Sequence, residues 1–267
     1  MNSTLKIAAI PLKMSWADRD ENLIKVESIV KGLHKDTDIV VLPELFSTGF
    51  LQDPDVIRSL AEPSDGFTMA KMKKLAREHN VAIAGSFLCE VEGKSYNRGF
   101  FIEPDGETCF YDKRHLFALS PEHTLFAQGV GLPPVIRFRG WNISMVVCYD
   151  LRFPTWCRNR QGHNQYDVML VPANWPSSRG FAWRQLLSAR AIENQAVYVG
   201  ANRGGTDDFG DYSDSTFIFN PIGMIASEVD DKTGAVYASF QKEEVETVRT
   251  KLPFGNDSDD FILCDFK

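Results

Sequence analysis

The run Ile143-Ser-Met-Val-Val147, followed at once by Cys148-Tyr-Asp-Leu-Arg-Phe-Pro154, governs the reading of this chain. A short apolar run closed by a turn sequence predicts a buried strand. In an α/β fold, a strand that carries a thiol to its carboxyl end, with a helix start behind it, presents a nucleophile to a crevice. Two more polar residues close apolar runs in the same way: Glu44 after Ile39-Val-Val-Leu-Pro43, and Lys113 after Thr108-Cys-Phe-Tyr-Asp112. Glutamate, lysine and cysteine, each at a strand end, form a candidate triad.

Outward from these runs, helix and strand alternate. The amino-terminal part predicts strand Leu5–Pro11, a helix over 18–33, strand Ile39–Leu42, a helix over 67–79 and strand Val81–Leu88. Leu23, Val30 and Leu33 fall on one stripe of the first helix and are expected on the sheet. The middle of the chain predicts two antiparallel hairpins, Ser95–Ile102 with Glu107–Tyr111 and Val135–Phe138 with Trp141–Val147. Beyond Cys148 follow a short helix over 155–160, strand Val168–Val171, a helix over 183–193, strand Ala196–Ala201, a turn at Asn220-Pro-Ile-Gly223, a helix over 242–250 and a polar tail. No repeat and no Ser/Gly/Pro linker divides the chain, so residues 1–267 are read as one domain.

Composition narrows the function. With 43% hydrophobic and 24% charged residues, the 267-residue chain is an ordinary globular one with enough length for a deep core. A net charge of -7 without a basic block argues against nucleic acid and against an anionic membrane surface as partners. No stretch approaches the roughly 18 apolar residues of a membrane span, and no basic-then-apolar leader opens the chain, which reads as cytoplasmic. The five cysteines, Cys89, Cys109, Cys148, Cys157 and Cys264, are odd in number and include no CxxC pair, so free thiols are expected and neither a disulfide framework nor a zinc site. The stretch Thr206–Asp214 is rich in aspartate but lacks the alternating ligands and closing glutamate of a calcium loop, and reads as a solvated or site-lining loop.

The triad permits a definite chemistry. A cysteine thiol ionises near pH 8.5 (about) and needs a neighbouring positive charge or base to act near neutrality. Lys113 can supply the charge and Glu44 the base. Histidine is the usual partner of a nucleophilic cysteine, but His34 and His79 fall at helix ends and His163 ends no apolar run. His115 and His123 flank the Lys113 loop and stay open as site neighbours, so a Cys–His mechanism is the rival reading. With Glu44 as base, the thiol attacks an amide or nitrile carbon, Lys113 and a backbone N–H hold the oxyanion, and ammonia leaves a thioester that water hydrolyses. No metal or organic cofactor is required.

The segments Val41-Leu-Pro-Glu-Leu-Phe46, Tyr111-Asp-Lys-Arg-His-Leu-Phe117, Val147-Cys-Tyr-Asp-Leu-Arg-Phe153 and Ala189-Arg-Ala-Ile-Glu-Asn194 resemble the nitrilase, or carbon–nitrogen hydrolase, superfamily across nearly the whole chain. The resemblance implies an α/β fold of four layers, an α-β-β-α sandwich, with Glu44, Lys113 and Cys148 as its Glu-Lys-Cys triad. It also implies Glu122, in Pro121-Glu-His-Thr-Leu-Phe-Ala-Gln-Gly129, as a second glutamate beside the lysine, and self-association into at least a dimer with residues 251–267 at the interface. Within the superfamily, Ala173-Asn-Trp-Pro176, Arg179, Ala182-Trp183 and Asn202-Arg203 are similar to bacterial omega-amidases, which release ammonia from 2-oxoglutaramate and 2-oxosuccinamate. Tyr212-Ser-Asp-Ser215 departs from that branch, where a glycine is usual.

A small amide bearing a carboxylate needs a fork of donors, the task for which arginine is suited. Arg152 stands where related carbamoyl-amino-acid hydrolases bind a carboxylate, with Arg179 and Arg203 as lesser candidates; an ion pair of Arg152 with Asp150 or Glu193 is the alternative. Tyr149, Trp175 and Phe46 are expected to wall the pocket. The expectation is an enzyme for small 2-oxo acid monoamides; other amides, carbamoyl compounds or nitriles, and an inactive binding module, are the rivals.

Overall fold

Period-two alternation sorts the first strands onto two faces in the computed structural model, which describes residues 4–160, 162, 165–207, 210–212, 215–259 and 261–263. In β1 (Thr4–Ala9), Leu5, Ile7 and Ala9 enter one core and Ala8 another. The next element, α1 (Arg19–Gly32), starts at Asp18, whose carboxylate accepts the Glu21 N–H at 2.9 Å. It buries Leu23, Val26 and Val30 and leaves Ile24 exposed, while Leu33 is half-buried beyond its end.

The chain continues through β2 (Ile39–Val41), α2 (Pro54–Leu60), α3 (Phe67–His79), β3 (Ala82–Val91), β4 (Lys94–Ile102), β5 (Thr108–Asp112), α4 (Glu122–Leu125), β6 (Val135–Phe138) and β7 (Trp141–Met145). After a 3₁₀ turn at Cys148–Arg152 come β8 (Val168–Ala173), α5 (Gly180–Asn194), β9 (Val197–Asn202), β10 (Thr206–Asp207), β11 (Gly210–Asp211), β12 (Phe217–Phe219), β13 (Glu228–Val229), β14 (Val236–Gln241) and α6 (Lys242–Lys251). α2 is absent from the sequence expectations although its signals are standard, proline in its first turn and Asp53 accepting the Asp55 and Val56 N–H groups.

Two sheets form the inner layers of an α-β-β-α sandwich. The seven-stranded sheet has the order β13-β14-β1-β2-β3-β4-β5, and the five-stranded sheet the order β12-β9-β8-β7-β6. Each is parallel at its centre, β1-β2-β3 and β7-β8-β9, and antiparallel outside it. Ile39, Val41, Ala84 and Phe101 face Met145 and its neighbours in the core between the sheets, whereas Val40, Leu42, Ile83 and Phe100 pack outward with Leu23, Val26, Met69 and Met72 from α1 and α3. Trp183, Leu187 and Ala191 of α5 cover the other side of the second sheet. No helix among the described residues is long and apolar enough to cross a membrane.

The helix expected over 155–160 does not form. Tertiary bonds capture the chain there instead: Trp156 Nε1 donates to the Tyr111 hydroxyl at 2.8 Å, and Asn159 donates from its backbone to Asn194 Oδ1 at 2.7 Å. At Gly200 in β9, α5 approaches so closely that an added Cβ would overlap Leu187 Cδ1 and lie 2.7 Å from Trp183 Cζ2. Gly200→Ala therefore overpacks a sealed core, and urea denaturation should record a loss of about 1–3 kcal/mol.

Candidate active site

Four strand ends converge where the sheets face each other. Glu44 follows β2 and Lys113 follows β5 in the first sheet, while Cys148 follows β7 and Asn174 follows β8 in the second. Two backbone bonds stitch the sheets together there: Glu44 N–H donates to the Ala173 carbonyl at 3.3 Å, and Asn174 N–H donates to Glu44 Oε2 at 2.9 Å.

Cys148 occupies the left-handed region at φ 45°, a conformation that costs a non-glycine residue about 1–2 kcal/mol and lifts its side chain out of the strand line. Asp150, fully buried, holds this turn. Its Oδ2 accepts the Val147 N–H at 3.1 Å and the Tyr111 hydroxyl at 2.8 Å, and its Oδ1 accepts the His115 N–H at 2.8 Å. Asp150 thus ties the nucleophile turn of one sheet to the lysine strand of the other.

Lys113 is 1% exposed and is held between two carboxylates, at 2.8 Å from Glu44 Oε1 and at 2.8 and 3.0 Å from the two oxygens of Glu122. Burial alone would favour the neutral amine, but Glu122, Glu44 and Cys148 around it hold the ammonium charged well above the usual lysine range. Burial likewise raises the Glu122 carboxyl, with Lys113 pulling against it and Glu44 adding to the rise. For Cys148, burial and then the Glu44 carboxylate push the thiol well up, against Lys113 and the Asn174 N–H. Burial and Glu44 together thus favour the protonated thiol, with the Glu44 carboxylate as its acidic neighbour.

Glu122 reaches Lys113 because α4 lies on a loop drawn tight against β5. Gly129 N–H donates to the Lys113 carbonyl at 2.9 Å, and the Arg114 guanidinium donates to the Gly129 carbonyl at 3.0 Å. A Cβ at Gly129 would overlap the Asp112 carbonyl oxygen. Only glycine fits this crossing.

Above the triad opens a cavity of about 240 Å³, walled in part by Tyr149, Arg152, Trp175 and Arg179. The Arg152 guanidinium lies over the Trp175 ring, 4.6 Å from its centroid, and among the described residues makes no ion pair; Glu193 pairs with Arg190 and Asp150 with the groups above. Arg179 is exposed and stacks over Phe117 at 5.1 Å. Arg203 turns away to Asp207 and the Tyr212 ring. Phe46 does not wall the pocket. Leu45 at φ 49° reverses the chain after Glu44, so Phe46 enters the helix-side core 5.9 Å from Phe100, and Phe50 supplies the ring at the cavity, 5.8 Å from Lys113 Nζ.

His115 contacts Asp150 and stacks on Phe153, and His123 is exposed on the Ser120 carbonyl, so neither is bonded to the thiol. His163 and Cys264 lie outside the described residues; Cys89, Cys109, Cys148 and Cys157 are free. Within the aspartate-rich stretch, Thr206–Asp207 pairs antiparallel with Gly210–Asp211 and Tyr212 lines the cavity, whereas Asp208, Phe209, Ser213 and Asp214 lie outside the described residues. Sequence reading passed over Asn97, Asn174, Phe50 and Tyr212. Asn174 carried a usable signal, since it ends the apolar run of β8 as Glu44 and Cys148 end theirs.

A thiol, a carboxylate beside it and a buried ammonium, all at strand ends of an α-β-β-α sandwich, are the kinds of group with which acyl-transfer hydrolases work. Residues 6–250 match the family described as carbon-nitrogen hydrolase, and the chain belongs to that family, the nitrilase superfamily. Omega-amidase YafV of Escherichia coli (strain K12) is 38% identical over 261 residues, 97% of this chain and 98% of that protein. The 2-oxoglutaramate amidase of Bacillus subtilis (strain 168) is 31% identical over 255 residues, 94% of this chain and 96% of that one. The crystal structure of XC1258 from Xanthomonas campestris, a CN-hydrolase superfamily protein with an arsenic adduct in its active site, matches with a TM-score of 0.90 at 34% identity, over 98% of this chain and 99% of that one. The chain is thus an amidase, a hydrolase of carbon–nitrogen bonds other than peptide bonds, similar to the omega-amidases.

Gly129→Ala should lower kcat by about tenfold or more, because displacing the loop moves Glu122 off Lys113; steady-state kinetics on the folded variant measure this. Iodoacetamide should inactivate the native enzyme in step with labelling at Cys148, which opens onto the cavity beside the Glu44 carboxylate, while Cys157, wholly buried away from it, stays unlabelled in peptide maps.

Proposed function

We propose that this amidase hydrolyses the terminal amide of small 2-oxo acid monoamides, 2-oxoglutaramate and 2-oxosuccinamate, to the dicarboxylate and ammonia. The observation that carries the reading is an Arg152 guanidinium that makes no ion pair among the described residues, on the wall of the cavity that ends at Cys148, a fork for the substrate's far carboxylate. Tyr149, Trp175 and Arg179 complete the binding wall. The similarity to the 2-oxoglutaramate amidase of Bacillus subtilis (strain 168) supports the first of these substrates.

In this mechanism Glu44 takes the Cys148 proton as sulfur attacks the amide carbon. The oxyanion is stabilised by the Lys113 ammonium and by a backbone N–H behind the nucleophile. Glu44 then passes the proton to the departing nitrogen, and ammonia leaves a thioester on Cys148. Water loses a proton to Glu44 and attacks the thioester, and sulfur leaves and recovers that proton. Glu122 keeps Lys113 charged and in place throughout.

Two copies of the chain are proposed to associate with residues 251–267 at their contact, on the support of exposed Leu252, Phe254 and Ile262 in that segment. Phe266 lies outside the described residues.

Ammonia release from 2-oxoglutaramate, with glutamine and a simple nitrile for comparison, tests the assignment. Wild type should turn over the 2-oxo monoamide selectively and Cys148→Ala should not. Arg152→Lys should raise KM by about 10-fold or more, because a lone ammonium replaces a bidentate fork. Activity confined to nitriles, or an Arg152→Lys variant with an unchanged KM, would overturn the substrate reading.

A further inference from the structure

The mechanism above gives no task to Asn97, a residue 1% exposed on β4 beneath the triad. Its backbone carbonyl accepts the Lys113 N–H at 3.0 Å. Its side-chain Nδ2 donates to Glu44 Oε1 at 2.8 Å and lies 3.4 Å from Glu122 Oε1. One amide group thus contacts both carboxylates and the strand end that bears the lysine.

Counting lone pairs shows what this does to Glu44. Each carboxylate oxygen accepts about two hydrogen bonds. Oε1 is filled, by Lys113 Nζ at 2.8 Å and by Asn97 Nδ2 at 2.8 Å. Oε2 accepts only the Asn174 N–H, at 2.9 Å, among these bonds, which leaves one lone pair for the thiol. We propose that Asn97 is a positioning residue for Glu44, saturating Oε1 so that Oε2 alone exchanges protons with Cys148 and then with the hydrolytic water.

A neutral donor suits this place better than a cation. The groups facing Glu44 that carry or exchange charge are Lys113, Glu122 and Cys148. A second ammonium there would neutralise the cluster and weaken the base, whereas an amide orients both carboxylates and leaves its net charge alone. An apolar side chain of equal size would leave Oε1 short of a donor and the two carboxylates facing each other unscreened.

The inference rests on the reading of Glu44 as the base, and the test separates the two. Asn97→Asp keeps the size and turns the donor into an acceptor, Asn97→Ala removes it, and Asn97→Ser restores a hydroxyl donor. The readouts are the rate of Cys148 alkylation by iodoacetamide, which needs no substrate assignment, and kcat, KM and the pH profile of kcat/KM on a turned-over amide. Asn97→Asp and Asn97→Ala should lose about 10- to 100-fold in kcat with KM within about twofold, and slow alkylation in parallel. Asn97→Ser should recover part of the loss. If Asn97→Asp does not fold, the Ala and Ser pair decides, and equal rates for the two overturn the proposal. So does a variant that merely melts at lower temperature while keeping wild-type rates and pH profile. Unchanged alkylation in Glu44→Gln would instead remove the base reading itself; slowed alkylation there, with wild-type rates in Asn97→Ala, removes only the role of Asn97.

Discussion

Everything at this site depends on one buried ammonium held between two carboxylates. Lys113 is almost wholly buried, and a lone charge so buried would be expelled or neutralised. Glu44 and Glu122 make it tenable, and it makes them tenable in turn; removing one partner of such a cluster typically costs about 3–5 kcal/mol. Burial first, and then the Glu44 carboxylate, push the neighbouring thiol well up, against the pull of Lys113.

Such a cluster demands a particular architecture. Its members come from strand ends in two sheets, so those sheets must face each other with their parallel centres aligned. Small side chains such as Ala9, Ala82 and Ala84 on the inner face of the first sheet leave room for the larger Met145, Leu170 and Phe138 opposite. Asp150 then locks the two halves at the point of chemistry, since it bonds Val147 in one sheet and Tyr111 and His115 on the lysine side. The left-handed backbone at Cys148 persists because this network over-determines it.

The cavity has a different character from its floor. The floor is charged and closed, whereas the walls combine aromatic faces with the guanidinium groups of Arg152 and Arg179, neither of which makes an ion pair among the described residues. Arg152 stacked on Trp175 keeps its planar fork oriented while its N–H groups stay available. That division lets the floor perform one chemistry while the walls select the amide.

Much of this was legible in the sequence. Apolar runs closed by Glu44, Lys113 and Cys148 announced themselves because a charged or reactive residue at the end of a buried strand has few structural uses, and strand burial follows directly from period and hydrophobicity. The helix at 155–160 was misread because side-chain bonds from Trp156 and Asn159 to distant partners outweigh local propensity there. Phe46 was misread because the reversal at Leu45 depends on a bond from its N–H to Ser86 Oγ, far along the chain. Asn97 gave no signal at all, since one polar residue in an alternating strand looks like any solvent-facing position. The chain by itself determined the elements and the reacting groups, because both follow from local chemistry and spacing. Only the tertiary structure decided which donors surround each oxygen of Glu44, which ring walls the cavity and which arginine on it makes no ion pair among the described residues, because each of those depends on contacts between residues that meet only when the two sheets close on one another.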